Sequence, residues 1–374
     1  MEDDIGPVLK GTPENRPPGE LTDLTNTVLT QEQQEHFRNW LNKWGNVFAN
    51  SIFELGKATV GKGAQVYEHV IQLLPDAIPK RFRPYAIPHK LLPTLRNIIH
   101  ELLRAGLITT SQPTGFCSPA MLVEKKSGEQ RLVIDYRHLN KCSRKAVSLV
   151  PTISDIIKKM AGKQYFTTLD MASGYWQIAL AEDSQDFTTF VLPGDLTTWK
   201  WRCLPFGLHS APSTFYNLVC HVFTDLLQQD IMSIYLDDIL VHSDTYEEHI
   251  EHLGLVFARL KKHSLKLKLS KASFCKERFI YLGHEFSRQG VRPATENTAK
   301  LHDYPTPTNV KGVQSLLGLL NYFRRHQRLW KISNATHSTN TQRHPIQMDT
   351  RVRDGQNNSL YKNHFSTHTQ VPYI

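Results

Sequence analysis

Three aspartates carry the most specific chemistry in this sequence. Asp170 closes the apolar strand FTTLD, and Asp237 and Asp238 sit together in IMSIYLDDILVHS, in a tight turn between two apolar arms. Adjacent carboxylates at a half-buried hairpin tip repel one another, and each raises the other's pKa. A pair of Mg²⁺ ions removes that cost. Hard divalent cations take oxygen ligands and keep waters and substrate phosphates in their remaining positions. Two such ions about 3.5–4 Å apart can activate a primer 3′-hydroxyl and grip a triphosphate whose pyrophosphate leaves. In that chemistry Asp170 and Asp237 would bridge both ions and Asp238 would complete the set. Aspartates are also common in turns for local hydrogen-bonding reasons alone. The apolar strands on either side, and Tyr235 just before the pair, favour the metal reading.

The surrounding periodicity tells which elements must hold these groups. Residues 1–29, rich in Pro, Gly, Asn, Thr and acids, read as a linker. Thr30 and Gln33 make a capping-box pattern, and Phe37, Trp40, Leu41, Trp44, Val47 and Phe48 follow at helical spacing, so residues 30–75 form an extension with one amphipathic helix. LLPDAIPKRFRPYAIPHKLLP, with five prolines, is extended. A helix follows with Leu95, Ile98, Ile99, Leu102 and Leu103 on one face and Gly106 at its end. MLVEKKSGEQRLVIDYR reads as a β-hairpin. After Pro212 a helical stripe runs through Phe215, Leu218, Val219, Val222, Phe223 and Leu226. Asp244 and Glu247 open another helix, with Ile250, Leu253, Phe257 and Leu260 buried. Strands mixed with helices, without a βαβ repeat, indicate an α+β fold with an antiparallel sheet.

Composition narrows the function classes. The chain has 374 residues, 40% of them apolar, and a net charge of +9. The excess is concentrated between about Arg259 and Lys331, as a phosphate-backbone partner would favour; a solvated surface would look the same. Five cysteines without a CxxC pair suggest neither a zinc site nor a disulfide framework, hence a reducing compartment, cytoplasmic or nuclear. The opening MEDDIGPVLK is no signal peptide, and no apolar run is long enough to span a bilayer. From about Gln327, Ser, Thr, Asn, Gln and His make up about half of the chain, which predicts a disordered tail over 327–374.

These motifs, in this order, resemble reverse transcriptases. IYLDDILVHS resembles the family's catalytic turn and FTTLDMASGYWQIAL its first catalytic motif. KKSGEQRLVIDYRHLN resembles its fingers hairpin, LPFGLHSAPSTF the loop and helix before the turn, YLGHEFSRQGVRP the primer grip, and SLLGLLNYFRRH the segment beyond. The wording is closest to gypsy-type LTR retrotransposon polyproteins. The resemblance implies a right-hand polymerase with fingers and palm over 76–286 and a partial thumb or connection over 287–326.

The resemblance also implies roles. Asp170, Asp237 and Asp238 would be catalytic metal ligands for two Mg²⁺ ions, with Mn²⁺ as a substitute. Lys126 (or Lys125) and Arg131 would contact the incoming triphosphate. Tyr175 would exclude a 2′-hydroxyl, and Phe206 would pack against nucleotide or template. Tyr235 would sit near the primer end. Lys261, Lys262, Lys266, Lys268 and Lys271 would touch the nucleic-acid backbone, with Gly283 in the primer-grip turn. The implied partners are an RNA or DNA template, a DNA primer and deoxynucleoside triphosphates, with no membrane. Leu265, Leu267 and Leu269 alternate with Lys266, Lys268 and Ser270, as in a strand with one wet face, so the lysines could also merely solvate that face.

The similarity stops near His326, without an RNase H constellation after it or an Asp-Ser/Thr-Gly protease signature before it, which is expected of a truncated element copy. Two other readings stay open: a catalytically silent relic that binds nucleic acid, and an RNA-templated RNA polymerase, against which Tyr175 argues.

Overall fold

The computed structural model describes residues 16–320, apart from 113, 126–127, 129, 149–150, 161, 196, 236–237, 282–283, 288–289 and 294–303. Lys126, Asp237, Gly283 and the polar tail therefore lie outside the described residues. The chain divides into two compact units, residues 1–151 with 164–276, and residues 152–163 with 277–374.

After a single helical turn at Pro18–Leu21, the first unit has a helix that the sequence announces. In α1 (Gln31–Asn42) the Thr30 hydroxyl accepts from the Gln33 N–H at 3.2 Å, and Gln33 Oε1 accepts from the Thr30 N–H at 3.0 Å. This satisfies two amide donors that a helix start otherwise leaves open. Phe37 and Leu41 are fully buried. Residues 16–29 are packed rather than linking. Leu24 and Leu29 are buried, the Val28 N–H donates to Cys275 O, and Lys276 Nζ reaches Asp23 at 2.9 Å. Isolated apolar anchors among Pro, Gly and Thr leave no period to read, which is why the sequence resembled a linker.

α2 (Leu92–Arg104) buries Leu95, Ile98, Ile99 and Leu102, whereas Leu103 is exposed. Gly106 at φ +69° lets its own N–H and that of Leu107 return to the carbonyls of Leu103 and Leu102, closing the helix. The main strands of this unit, in chain order, are β1 (Ile108–Ser111), β2 (Ser118–Glu124), β3 (Gln130–Ile134), β4 (Tyr165–Asp170), β5 (Phe190–Val191), β6 (Thr198–Trp201), β7 (Met232–Tyr235) and β8 (Asp238–Ser243). One sheet has the order β1-β6-β5-β2-β3, antiparallel except where β5 meets β2, and it contains the expected hairpin β2–β3 with Glu124 opposite Gln130. The other has the order β7-β8-β4 and is antiparallel throughout. The fold class is α+β, as the sequence indicates.

Two helices cover the second sheet's neighbourhood. The stripe expected after Pro212 is buried throughout, but α3 (Ala211–Val222) ends at Phe223 and a short helical turn, Thr224–Gln228, follows. There the Thr224 hydroxyl donates to the carbonyls of Cys220 and His221, competing with the helix ladder. α4 (Tyr246–Lys262) starts one residue later than the Asp244–Glu247 pairing implied. Thr245 caps the Glu248 N–H at 3.3 Å, and the Glu248 carboxylate accepts from the Asp244 N–H at 2.8 Å. Leu253, Val256, Phe257 and Leu260 are fully buried. Phe257 meets Trp40 at 5.5 Å between ring centroids, and Trp44 and Phe48 at 5.7 Å each, so α1 and α4 share one aromatic core.

In the second unit, a helix spans Ile153–Met160, and β9 (Arg278–Tyr281), β10 (His284–Ser287) and β11 (Gly290–Pro293) form an antiparallel meander. Phe279 stacks on Phe286 at 5.2 Å, and Tyr281 is buried. Among the described residues no helix is long and apolar enough to cross a membrane, and all five cysteines are free thiols.

Two buried histidines make the fold acid-sensitive. His249 lies between the hydroxyls of Thr167 (2.8 Å) and Ser243 (3.0 Å). Burial first, then His252 and His242 nearby, lower its pKa to about 3. His69 accepts or donates at Thr214 (2.8 Å) and Ser210 (3.3 Å), and burial, then His209, lowers its pKa to about 4. Both are neutral in the folded chain, whereas the unfolded chain takes up their protons below about pH 6.5. Their contribution is whole above that pH and is lost as pH falls toward the folded values. Urea unfolding at pH 5.5 is expected to show a stability lower than at pH 7.5 by on the order of 1–1.5 kcal/mol for each histidine. His249→Gln should flatten the slope, and an unchanged slope would contradict this assignment.

Candidate active site

The catalytic candidates meet because of strand register. In the antiparallel pair β4–β8, Asp170 is directly opposite Asp238. Residues so paired have Cα atoms about 4.5–5.5 Å apart and side chains on the same face. β7 ends at Tyr235, which pairs with Asp238 across the hairpin, so Tyr235 borders the same place. Apolar runs drive this arrangement: Leu169, Ile234, Ile239, Leu240 and Val241 are buried, which fixes the faces of all three strands and leaves the carboxylates at their ends.

The electrostatics match a cation site. Asp238 has its pKa raised by the protein crowding its carboxyl, then by the negative charge of Asp170, with Lys271 opposing. Oxygen donors that repel one another in this way suit a hard divalent ion. Among the described residues no group of three or more His, Cys, Asp or Glu is assembled for a metal, so the described donors are the pair Asp170 and Asp238.

The chain after Asp170 turns sharply. Ser173 takes φ +46°, and Gly174 lies so close to Phe215 that an added Cβ would stand 2.6 Å from the ring. The hook delivers Tyr175, which is buried with its ring 5.0 Å from Phe206 and 5.6 Å from Phe215. Thus Tyr175 and Phe206, far apart in sequence, form one aromatic floor. Gly174→Ala is expected to cost about 1–3 kcal/mol through overpacking, because Phe215 has no free space to yield. Denaturant titration checks this; an unchanged midpoint would contradict the tight fit.

The basic candidates divide. Arg131 lies on β3 opposite Val123, and Lys125 precedes the hairpin turn. Lys261 and Lys262 are exposed at the end of α4. Leu265, Leu267 and Leu269 are buried as their alternation suggests, but the segment pairs through isolated bridges, Leu267 with Phe48 and with Met171, rather than as a strand. Lys266 Nζ donates to Asn46 O. The backbone N–H of Lys268 donates to Asp170 O at 2.9 Å, and Lys271 Nζ stands 3.5 Å from Asp170 Oδ2. Lys271, read from sequence as a nucleic-acid contact, is therefore beside the carboxylates. Sequence reasoning also passed over Gln177, a fully buried amide seven residues after Asp170, although a polar residue between Trp176 and Ile178 in an apolar run signals a structural task.

Comparison with known proteins agrees with this geometry. Residues 123–286 match the family described as reverse transcriptase (RNA-dependent DNA polymerase). The chain is 32% identical over 303 residues to the retrovirus-related Pol polyprotein from transposon 297 of Drosophila melanogaster, covering 79% of this chain and 28% of that protein. It is 26% identical over 332 residues to the transposon Tf2-3 polyprotein of Schizosaccharomyces pombe, covering 86% of this chain and 24% of that protein. The chain thus spans about a quarter of the length of the curated relatives it matches. Among solved structures, a foamy viral protease-reverse transcriptase in complex with double-stranded DNA aligns with a TM-score of 0.71 at 24% identity, covering 82% of this chain and 51% of that one. The same viral protein with an RNA/DNA hybrid aligns with a TM-score of 0.68 at 22% identity, covering 86% and 46%. The shared fold is that of a reverse transcriptase fingers and palm, and residues 123–286 of this chain are a reverse transcriptase domain of the kind carried by retrotransposon polyproteins.

Proposed function

We propose that this chain is an RNA-directed DNA polymerase, the polymerase module of a gypsy-type LTR retrotransposon polyprotein, which adds deoxynucleotides to a primer 3′-end. The observation that carries this reading is the register that sets Asp170 opposite Asp238 within a reverse transcriptase domain. Asp170, Asp237 and Asp238 would hold two Mg²⁺ ions, or Mn²⁺ in their place. Bound there, the ions would supply a more nucleophilic primer oxygen and charge neutralisation on the phosphates.

The chain's own residues do the rest. Arg131 offers a planar fork to phosphate oxygens and Lys126 a mobile charge. Tyr175, held on Phe206 and Phe215, presents a rigid edge under the sugar that leaves no room for a 2′-oxygen. Tyr235 borders the primer end. Lys261, Lys262 and Lys268 would meet the duplex backbone, and Gly283 would belong to the primer grip that its motif implies; Lys266 and Lys271 would reach the backbone only by leaving Asn46 and Asp170. The foamy viral protein binds double-stranded DNA and an RNA/DNA hybrid, which supports a template–primer duplex as partner here. The five free thiols suit a reducing compartment, the cytoplasm or nucleus.

Primer extension by purified protein on poly-rA/oligo-dT with Mg²⁺ or Mn²⁺ tests the reading. Incorporation that disappears in Asp237→Asn, while duplex binding persists, is the expected result. Folded protein that binds duplex but incorporates nothing would identify a silent relic instead, and preferential use of ribonucleotides would identify an RNA polymerase.

A further inference from the structure

We infer that Gln177 is a positioning residue for the metal-binding aspartates. This deepens the polymerase reading and rests on it.

The free edge of β4 is not open. Residues 266–273 run antiparallel beside it. Thr168 and Ser273 exchange both backbone hydrogen bonds at 2.9 Å, the Lys268 N–H donates to Asp170 O, and the Ala172 N–H donates to Lys266 O at 3.0 Å. This ladder decides where Asp170 points, and it carries Lys271 to within 3.5 Å of the Asp170 carboxylate. It cannot continue past Ala172, because the chain turns at Ser173 and Gly174.

Gln177 completes the ladder with its side chain. Its Oε1 accepts from the Lys266 N–H at 2.7 Å, and its Nε2 donates to Ala172 O at 2.8 Å and to Lys266 O at 2.9 Å. Its backbone oxygen accepts from the Ala58 N–H at 2.7 Å, which ties in the N-terminal segment. The amide is fully buried. An amide is the side chain that offers an acceptor and two donors in one plane, so it matches a donor on one side and two carbonyls on the other. Gln177 touches neither aspartate. It fixes the end of the clamp through which the Asp170 backbone and Lys271 are held, and so steadies Asp170 in the place opposite Asp238 that the strand register gives it. Groups that orient metal ligands without binding the ion affect metal affinity and turnover more than stability alone accounts for.

The test compares wild type, Gln177→Met, Lys271→Met and the double variant. Primer extension is measured against Mg²⁺ concentration, with duplex affinity, circular dichroism and Mn²⁺ affinity by electron paramagnetic resonance alongside. Gln177→Met is expected to keep its spectrum and duplex affinity but to raise the half-saturating Mg²⁺ and lower kcat by about 10–100-fold. Its effect should be less than additive with that of Lys271→Met, since both act on Asp170. Should Gln177→Met not fold, Gln177→Glu carries the same comparison, because it keeps the acceptor for the Lys266 N–H and loses the paired donors. Metal dependence and kcat within about twofold of wild type, or full additivity with Lys271→Met, would overturn the inference. If wild type itself extends no primer, the polymerase reading falls, and Mn²⁺ affinity then decides the positioning role: weakening supports it and unchanged affinity overturns it.

Discussion

Asp170→Asn is expected to lower primer extension by at least about a thousandfold, roughly 4 kcal/mol of transition-state stabilisation, while duplex binding and folding are retained. Asparagine keeps the shape at the end of β4 but removes the charge that would bridge the ions. The loss is in turnover because duplex affinity comes largely from basic side chains on phosphates, which the substitution does not touch. A second consequence separates a catalytic acid from a structural one. The protein crowding its carboxyl, and then the charge of Asp170, hold the Asp238 pKa above its ordinary value, so its ionised form opposes folding. A raised carboxyl pKa means that this cost is present above the folded pKa and is relieved as pH falls through it. Asp170→Asn and Asp238→Asn should therefore unfold at higher temperature than wild type at pH 7.5 without divalent ions. The gain should shrink on adding Mg²⁺ and on acidification. Calorimetry with and without Mg²⁺ is the measurement; variants that unfold at lower temperature would mean that these carboxylates are structural.

Phe257→Ala is expected to cost about 3–5 kcal/mol, a large share of the stability of any single domain. Phe257 is fully buried on α4 and touches Trp40, Trp44 and Phe48, so its loss empties the junction between α1 and α4. The same junction carries the outer partner of β4. Ala49 and Leu267 are bonded through the Ala49 N–H, and the Leu267 N–H donates to Val47 O. Activity should therefore fall along with stability, and a chain lacking α1 should share both defects. Urea unfolding monitored by tryptophan fluorescence checks the first part. A midpoint unchanged within error would show that α1 is an appendage.

The strand and turn elements were readable because their signals are local. FTTLD and the arms of IMSIYLDDILVHS alternate or run apolar within a few residues, and the Thr30 capping box spans four. Likewise the order of motifs was enough to expect fingers and palm. What the sequence did not disclose depends on contacts between distant segments. Lys271 lies 101 residues from Asp170 in the chain yet beside it in space. Its lysine-rich neighbourhood pointed outward to nucleic acid, since periodicity tells which face is wet but not what faces it. The packing of Leu24 and Leu29 had no period to reveal it. The break at Phe223 and the cap at Thr245 turn on single hydroxyls competing for backbone groups, a balance of one hydrogen bond that apolar patterning does not register. Gln177 had a signal, a polar residue within an apolar run, but two of its three side-chain hydrogen bonds go to Lys266, 89 residues away.

Anomalous diffraction from crystals of the protein with Mn²⁺, a 3′-dideoxy-terminated primer on its template and the next deoxynucleotide would test the metal site most directly. The expected map holds two Mn²⁺ peaks about 3.5–4 Å apart, with carboxylate oxygens of Asp170 and of the Asp237–Asp238 turn coordinating them. A bound nucleotide with no Mn²⁺ peak touching Asp170 or Asp238 would contradict it.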